Sequence, residues 1–274
     1  MTTLESRAFA AAEASPAAVA AHDFDAWFAL FAADGVVEDP VGTRPHGGAK
    51  ALRRFWDVYI AHNDIRFEVH RDLSRGLDVL RDVTIHVRFP TGASVAVPSY
   101  VLYSLAEEPA GLRLRRLAAH WELPGQIRQL MGGGLAGLRT SMGTTGSGLL
   151  TMGPDFLWQY TRALFGVGAR GHRSVARLAD ACTKGDVAAL GSLVTSDVRV
   201  EAPAAEHAST GVDALRALTD GATWTVSRPV SSGLVTGFRY ELAGRVTSRG
   251  VALATFASAG GPIGALRFFD RERA

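Results

Sequence analysis

The sequence predicts an α+β chain of two cone-shaped, curved antiparallel sheets, each packed on helices that precede it, joined by a partly helical apolar connector. Three observations carry this. The chain repeats itself at a constant offset. Each repeat places helix-period apolar residues first and strand-like runs after them. The 274 residues, 47% of them hydrophobic, are enough to bury two cores.

The repeat sets LFAADGVVEDPVGTRPHGGAKALRRF, from Leu30, over LVTSDVRVEAPAAEHASTGVDALRAL, from Leu193, without a gap. Asp34 meets Asp197, Val37 meets Val200, Glu38 meets Glu201, Pro40 meets Pro203, and Gly48 meets Gly211. Ala51-Leu52-Arg53 meets Ala214-Leu215-Arg216, and upstream Asp23 meets Asp186. The expected organisation is a first domain over 1–123, a glycine-rich apolar helical connector over 124–170, and a degenerate second copy over 171–274.

Within the first copy, Val19, Phe24, Trp27, Phe28 and Phe31 recur at helical spacing and predict one amphipathic helix over 16–31, ended by Asp34-Gly35. A short strand over 36–38 stops at Pro40. Gly47-Gly48 then opens a helix over 49–61, with Leu52, Phe55, Trp56 and Tyr59 on its apolar face. Strands are expected over 65–70, 83–89, 93–105 and 112–121, separated by turn residues. The second copy repeats the pattern from about 171, with strands near 223–226, 234–240, 245–257 and 265–269.

The formal charge is +2 with charges interspersed, so no basic face marks a nucleic-acid partner. Cys182 is the sole cysteine, which excludes an internal disulfide and a thiolate zinc cluster. The N-terminal segment lacks a basic stretch before an uninterrupted apolar run, and the expected location is cytoplasmic. Arg139, Asp155 and Arg162 interrupt the longest apolar stretch, against a spanning helix. His62, His70 and His86 are not spaced as metal ligands, and Met131-Gly-Gly-Gly lacks the lysine of a phosphate loop. Neither metal nor cofactor is expected.

Asp39 is the residue with the clearest chemistry. Side chains alternate along a strand, so Val37 and Asp39 share a face while Glu38 points the other way. A carboxylate carried into an apolar interior with Val37 has a raised pKa and approaches that of a general base working near neutrality. The competing reading is a turn cap before Pro40. The second copy has Ala202 at this position, in V-E-A-P, so only the first copy carries the acid.

The run ALFAADGVVEDPVGTRPHGGAKALRRFW, above all Glu-Asp-Pro-Val-Gly at Glu38 to Gly42, resembles the ketosteroid isomerases of the SnoaL-like, nuclear-transport-factor-two-like superfamily. The resemblance implies isomerisation of Δ5-3-ketosteroids to Δ4-3-ketosteroids, with Asp39 as base and hydrogen-bond donors holding the dienolate oxygen. It also implies a steroid-like hydrophobic ligand in a pocket built from Phe28, Phe55, Trp56, Tyr59, Tyr103, His120 and Trp121. The family's enzymes are dimers, and here the two copies are expected to pair within one chain.

The donors depart from the family. Its tyrosine donor falls at or near Ser15, and no tyrosine precedes Tyr59. Its second donor, a protonated aspartate, aligns with Tyr100 in Ala96-Val97-Pro98-Ser99-Tyr100, and Tyr103 has the same claim; a phenol can serve in either place. The alternative function is a non-catalytic carrier of a steroid or other hydrophobic molecule. Polyketide cyclisation and epoxide hydrolysis occur on the same fold, the latter without a visible Asp-Arg-Asp set here.

His46 reads as a solvated loop residue. In the connector, Leu130, Leu135, Leu138, Met142, Leu149, Leu150, Met152, Phe156, Leu157, Tyr160, Leu164 and Phe165 predict short helices. These would clamp the two copies, cover the mouth of the first, or touch a membrane.

Overall fold

The computed structural model describes residues 3–152, 164–203, 207–219, 221–244 and 247–273. The chain divides into two compact units, one ending at Leu164 and the next beginning at Phe165. The predicted apolar positions Phe156, Leu157 and Tyr160, and the first residues of the strand expected over 245–257, lie outside the described residues.

The first unit opens with α1 (Leu4–Ala20) and α2 (Phe24–Phe28). β1 (Phe31–Glu38), β2 (His46–Gly47) and α3 (Ala49–Tyr59) follow. The single helix expected over 16–31 is therefore two helices, and Phe31 already belongs to a strand. The helix starts earlier, at the Thr3 cap, and carries Pro16 inside it. It stops where His22 takes a positive φ of 53°. Asp23, read from the sequence as helix interior, instead caps α2 by accepting from the Ala26 N–H at 2.9 Å.

Four long strands complete the sheet: β3 (Asp64–Arg75), β4 (Asp78–Arg88), β5 (Ser94–Glu108) and β6 (Gly111–His120). Their order is β3-β4-β5-β6-β1-β2. The sheet is mixed rather than purely antiparallel, because β1 runs parallel to β6, with Val37 opposite Leu117 and Glu38 opposite Ala118. β3 and β4 extend beyond their expected ends toward the turn at Gly76. There Arg71, Asp72, Arg81 and Asp82 interrupt the apolar alternation, although Asp72, Arg81 and Asp82 are buried. The chain then forms α4 (Leu123–Gly132) and α5 (Gly134–Met152).

The second unit repeats this plan with α6 (Gly168–Lys184), α7 (Val187–Leu193), β7 (Val194–Glu201), β8 (Ser209–Thr210) and α8 (Val212–Thr219). β9 (Thr223–Ser232), β10 (Val235–Ala243), β11 (Ser248–Phe256) and β12 (Ile263–Phe269) finish it. Its sheet order is β8-β7-β12-β11-β10-β9. The duplication extends to hydrogen-bond register: β7 runs parallel to β12 with Val200 opposite Leu266, and both parallel pairs shift register after their first bridge. It extends to an outer-face ion pair as well. Glu38 accepts from Arg116 Nε at 2.7 Å, and Glu201 pairs with Arg267 at 2.8 Å. The second interior is filled by Trp224, Phe238, Tyr240 and Phe268, with Tyr240 edge-on to Phe268 at 5.0 Å. Among the described residues, no helix is long and apolar enough to cross a membrane.

Candidate active site

In the first unit the helices stand off the concave face of the sheet and leave a cavity of about 340 Å³. Ile65, Phe67, Ile85, Val87, Val97 and Val101 wall it on the sheet side, and Val19, Phe55, Val58 and Ile60 on the helix side. Leu123, Gln126, Ile127 and Leu130 of α4, with Ser141 of α5, complete the lining.

Asp39 follows directly on β1, and the chain past it is fastened by the Val41 N–H donating to the Ala119 carbonyl at 2.9 Å. The carboxylate is half-buried and lines the cavity. Trp121, directly after β6, donates its indole N–H to Asp39 Oδ1 at 2.5 Å. Removal from water pushes the carboxyl up to about 6, while the indole hydrogen bond pulls the other way.

Tyr103 enters the same cavity from β5. Burial pushes its phenol up to about 12; the Arg81 cation opposes that rise, and the acids Asp72, Glu13 and Asp39 add to it. Near neutral pH the cavity thus holds an ionised Asp39 and a protonated Tyr103, a proton acceptor and a hydrogen-bond donor in one apolar enclosure. Ser15, buried on α1, adds a further hydroxyl to the lining.

Residues 12–109 match the family model for the SnoaL-like domain. The first unit is a SnoaL-like domain. Among solved structures, the chain is similar to a Δ5-3-ketosteroid isomerase from Mycobacterium sp., at 26% identity over 43% of this chain and 95% of that one, with a TM-score of 0.40. It is likewise similar to a Mycobacterium tuberculosis protein in complex with estradiol-17beta-hemisuccinate, at 26% identity over 43% and 96% of the two chains, with a TM-score of 0.40. An M. tuberculosis LEH-like epoxide hydrolase is 22% identical over 46% and 91%, with a TM-score of 0.39.

Of the residues expected at the pocket of this SnoaL-like domain, Asp39, Phe55, Tyr59, Tyr103 and Trp121 meet at the one cavity. Tyr100, Phe28, Trp56 and His120 do not. Tyr100 stands opposite Asp82 and His120 in the ladder, on the face of the sheet away from Val97, Val101 and Tyr103. His120 lies on that same far side, fully buried, with Nδ1 at 2.9 Å from the Tyr100 carbonyl oxygen. Burial pushes this imidazole down to about 4, so it is neutral, and Nδ1 carries the proton it donates to that carbonyl. Trp56 packs into the helix layer against Trp27 at 5.3 Å, and Phe28 stacks on Phe24 at 5.6 Å. His46 is not solvated. It pairs with Val37 through β2, and its ring lies 5.3 Å from Phe55, where burial and then Arg44 push its pKa down.

An acid–arginine–acid set exists that the sequence did not display. Arg81 donates through Nε and Nη2 to the two oxygens of Asp72, each at 2.7 Å, and Nη2 also meets Glu13. The three come from β4, β3 and α1; Asp72 and Arg81 face each other across one hairpin, and Glu13 lies 68 residues from Arg81. The Arg81 guanidinium sits 6.0 Å from the Tyr103 ring centre, behind the cavity wall rather than in its lining. Leu130, one of the connector positions read as able to cover the mouth of the first copy, lines the cavity, together with Leu123, Gln126 and Ile127, which the sequence reading did not single out despite the helical spacing of Leu123, Ile127 and Leu130. Among the described residues no cluster of three or more histidine, cysteine or acidic side chains is arranged to hold a metal ion.

Proposed function

We propose that the SnoaL-like first domain is a cofactor-free isomerase of the ketosteroid type, and that Tyr103, not Tyr100, is its oxyanion donor. The observation that carries this is the pairing of a carboxylate raised to about 6 with a protonated phenol inside one apolar cavity. A volume of about 340 Å³ falls in the range of small-molecule pockets.

The chemistry follows from the groups present. Trp121 holds Asp39 Oδ1 and leaves Oδ2 to take the proton from the carbon between the carbonyl and the double bond of a 5-ene-3-ketosteroid. The electron pair of that C–H bond moves through the new double bond onto the carbonyl oxygen. The Tyr103 hydroxyl hydrogen-bonds to that oxygen as its charge grows, in an environment where such a bond is strong. The Asp39 acid then returns the proton to the far carbon, and the conjugated enone forms with no net gain or loss of protons.

The test is conversion of a 5-ene-3-ketosteroid followed by the ultraviolet absorbance of the enone. Asp39→Asn is expected to abolish turnover, Tyr103→Phe to lower it by about 10²- to 10³-fold, and Tyr100→Phe to leave it near the parent. Turnover that survives Asp39→Asn removes Asp39 as base. Ser15, standing where the family has a tyrosine, favours a second reading as a carrier. Tight steroid binding by the parent with no turnover selects that reading.

A further inference from the structure

We infer that the outer face of α5, with the end of α4, docks on an anionic lipid bilayer and sets the mouth of the cavity against the membrane in which apolar ligands dissolve. The inference is independent of the reaction assigned above and needs only the cavity. At 3.6 residues per turn, Leu135, Leu138, Arg139, Met142, Leu149 and Leu150 fall within about 120° of one another around α5. A surface helix ordinarily turns its apolar stripe inward, and this one does the reverse. Leu135 is 74% exposed, Met142 67% and Leu150 90%, and Met131 at the end of α4 is 77% exposed. The opposite side, with Gly137 and Thr140, faces the domain. A Cβ at Gly137 would overlap the Leu130 carbonyl, so the two helices meet backbone to backbone.

Charge selects the occupant. Residues 123–152 contain Arg128 and Arg139, both exposed, and no acidic residue. Apolar side chains with arginines among them, and no carboxylate to repel phosphate, suit the interface of an anionic bilayer, where the arginine stems lie along the apolar surface and their heads reach lipid phosphates. The face is also continuous with the ligand site, because Ile127 both lines the cavity and is 39% exposed. Among the described residues, polar bonds tie the pair of helices to the β4–β5 hairpin. Gln129 gives and takes a 2.9 Å hydrogen bond with the backbone of Ala96, beyond the last β5–β6 pair, and Thr140 bonds Thr91.

The test is flotation of the full chain with vesicles of phosphatidylcholine, with and without phosphatidylglycerol, beside the variant Leu135→Ser/Leu138→Ser/Met142→Ser and the single Arg139→Gln. The parent is expected to float with the anionic vesicles and much less with the neutral ones. The triple variant is expected to lose about ten-fold or more of that binding, and Arg139→Gln roughly five-fold. Far-ultraviolet circular dichroism should stay that of the parent, and turnover or binding of a dissolved steroid should be unchanged, since none of these residues lines the cavity. Absence of parent binding to either vesicle overturns the inference, and so does binding that the triple variant retains. A parent that instead self-associates in sedimentation, with the triple variant monomeric and neither bound to vesicles, makes this face a contact between copies of the chain and also overturns it. Steroid turnover fails or succeeds separately from all of these results.

Discussion

Trp121 donates to Asp39 because β1 and β6 run parallel side by side, so that the residue after each strand leaves the sheet at the same end. The hydrogen bond favours the ionised carboxylate and holds back the rise that burial imposes. Trp121→Phe removes that restraint while keeping an aromatic wall. The acid limb of the pH–rate profile should then move up from about 6 by about one pH unit, and the loss of rate should shrink as pH rises. A profile that stays in place separates the indole from the tuning of the base.

Asp39 should also limit stability where it supports activity. Its folded pKa of about 6 lies above the ordinary 3.8, so the folded chain holds this proton more tightly than the unfolded chain does. The stabilisation from protonation is complete below about pH 4 and is lost as pH rises through about 6. Asp39→Asn is therefore expected to be more stable than the parent above pH 6, by up to about 2 to 3 kcal/mol, with the difference closing toward pH 4. Thermal melts across that range give the comparison. Equal melting temperatures at pH 8 would mean that the ionised carboxylate is well solvated.

His120 produces the opposite slope. Its folded pKa of about 4 lies below the ordinary 6.5, so its contribution is complete above about 6.5 and is lost as pH falls toward 4. His120→Gln keeps a donor for the Tyr100 carbonyl without the titration. In an Asp39→Asn background, where the opposing slope is gone, the acid-side loss of stability should be visible, and adding His120→Gln should flatten it. An unchanged slope would assign the acid sensitivity to other groups.

The fold was legible because two signals were redundant. The offset that sets Val37 over Val200 preserved turn residues as well as apolar ones, and the strand period placed Asp39 on the side of Val37. Tyr100 and Tyr103 were not distinguishable, because β5 is buried on both faces. Tyr100, Val101, Leu102 and Tyr103 are each at most 3% exposed, so no alternation of polar and apolar residues marks the inner side. Counting from Pro98 selected Tyr100, while the ladder places Tyr103 in the cavity. The break between α1 and α2 was hidden by a continuous helical spacing across Asp23, whose role as a cap depends on the backbone turn at His22. The inward face of β3 and β4 read as polar because its buried pair, Asp72 and Arg81, can be counted as core only when seen together.

That pair supports the last prediction. Arg81 is fully buried, and both oxygens of Asp72 accept from it. Arg81→Met takes from the buried Asp72 carboxylate the cation that meets both its oxygens and leaves Arg273 Nη1 at 3.8 Å, a loss of up to about 3 to 5 kcal/mol in comparable cases. Arg81→Met/Asp72→Asn leaves no buried charge behind, since Glu13, the other acid on Arg81, is half-exposed, so its loss should be smaller than the sum of the two single losses, with a coupling of at least about 1 kcal/mol. Urea unfolding of the four proteins of the cycle measures this. Because the guanidinium lies 6.0 Å from the Tyr103 ring and opposes the rise of its phenol pKa, the single Arg81→Met, which keeps the Asp72 charge, should also move Tyr103 ionisation to higher pH in ultraviolet titration. Additive losses would show that the two charges are solvated independently in the folded chain, and an unmoved phenol would place Arg81 in the frame of the domain with no part in setting its donor.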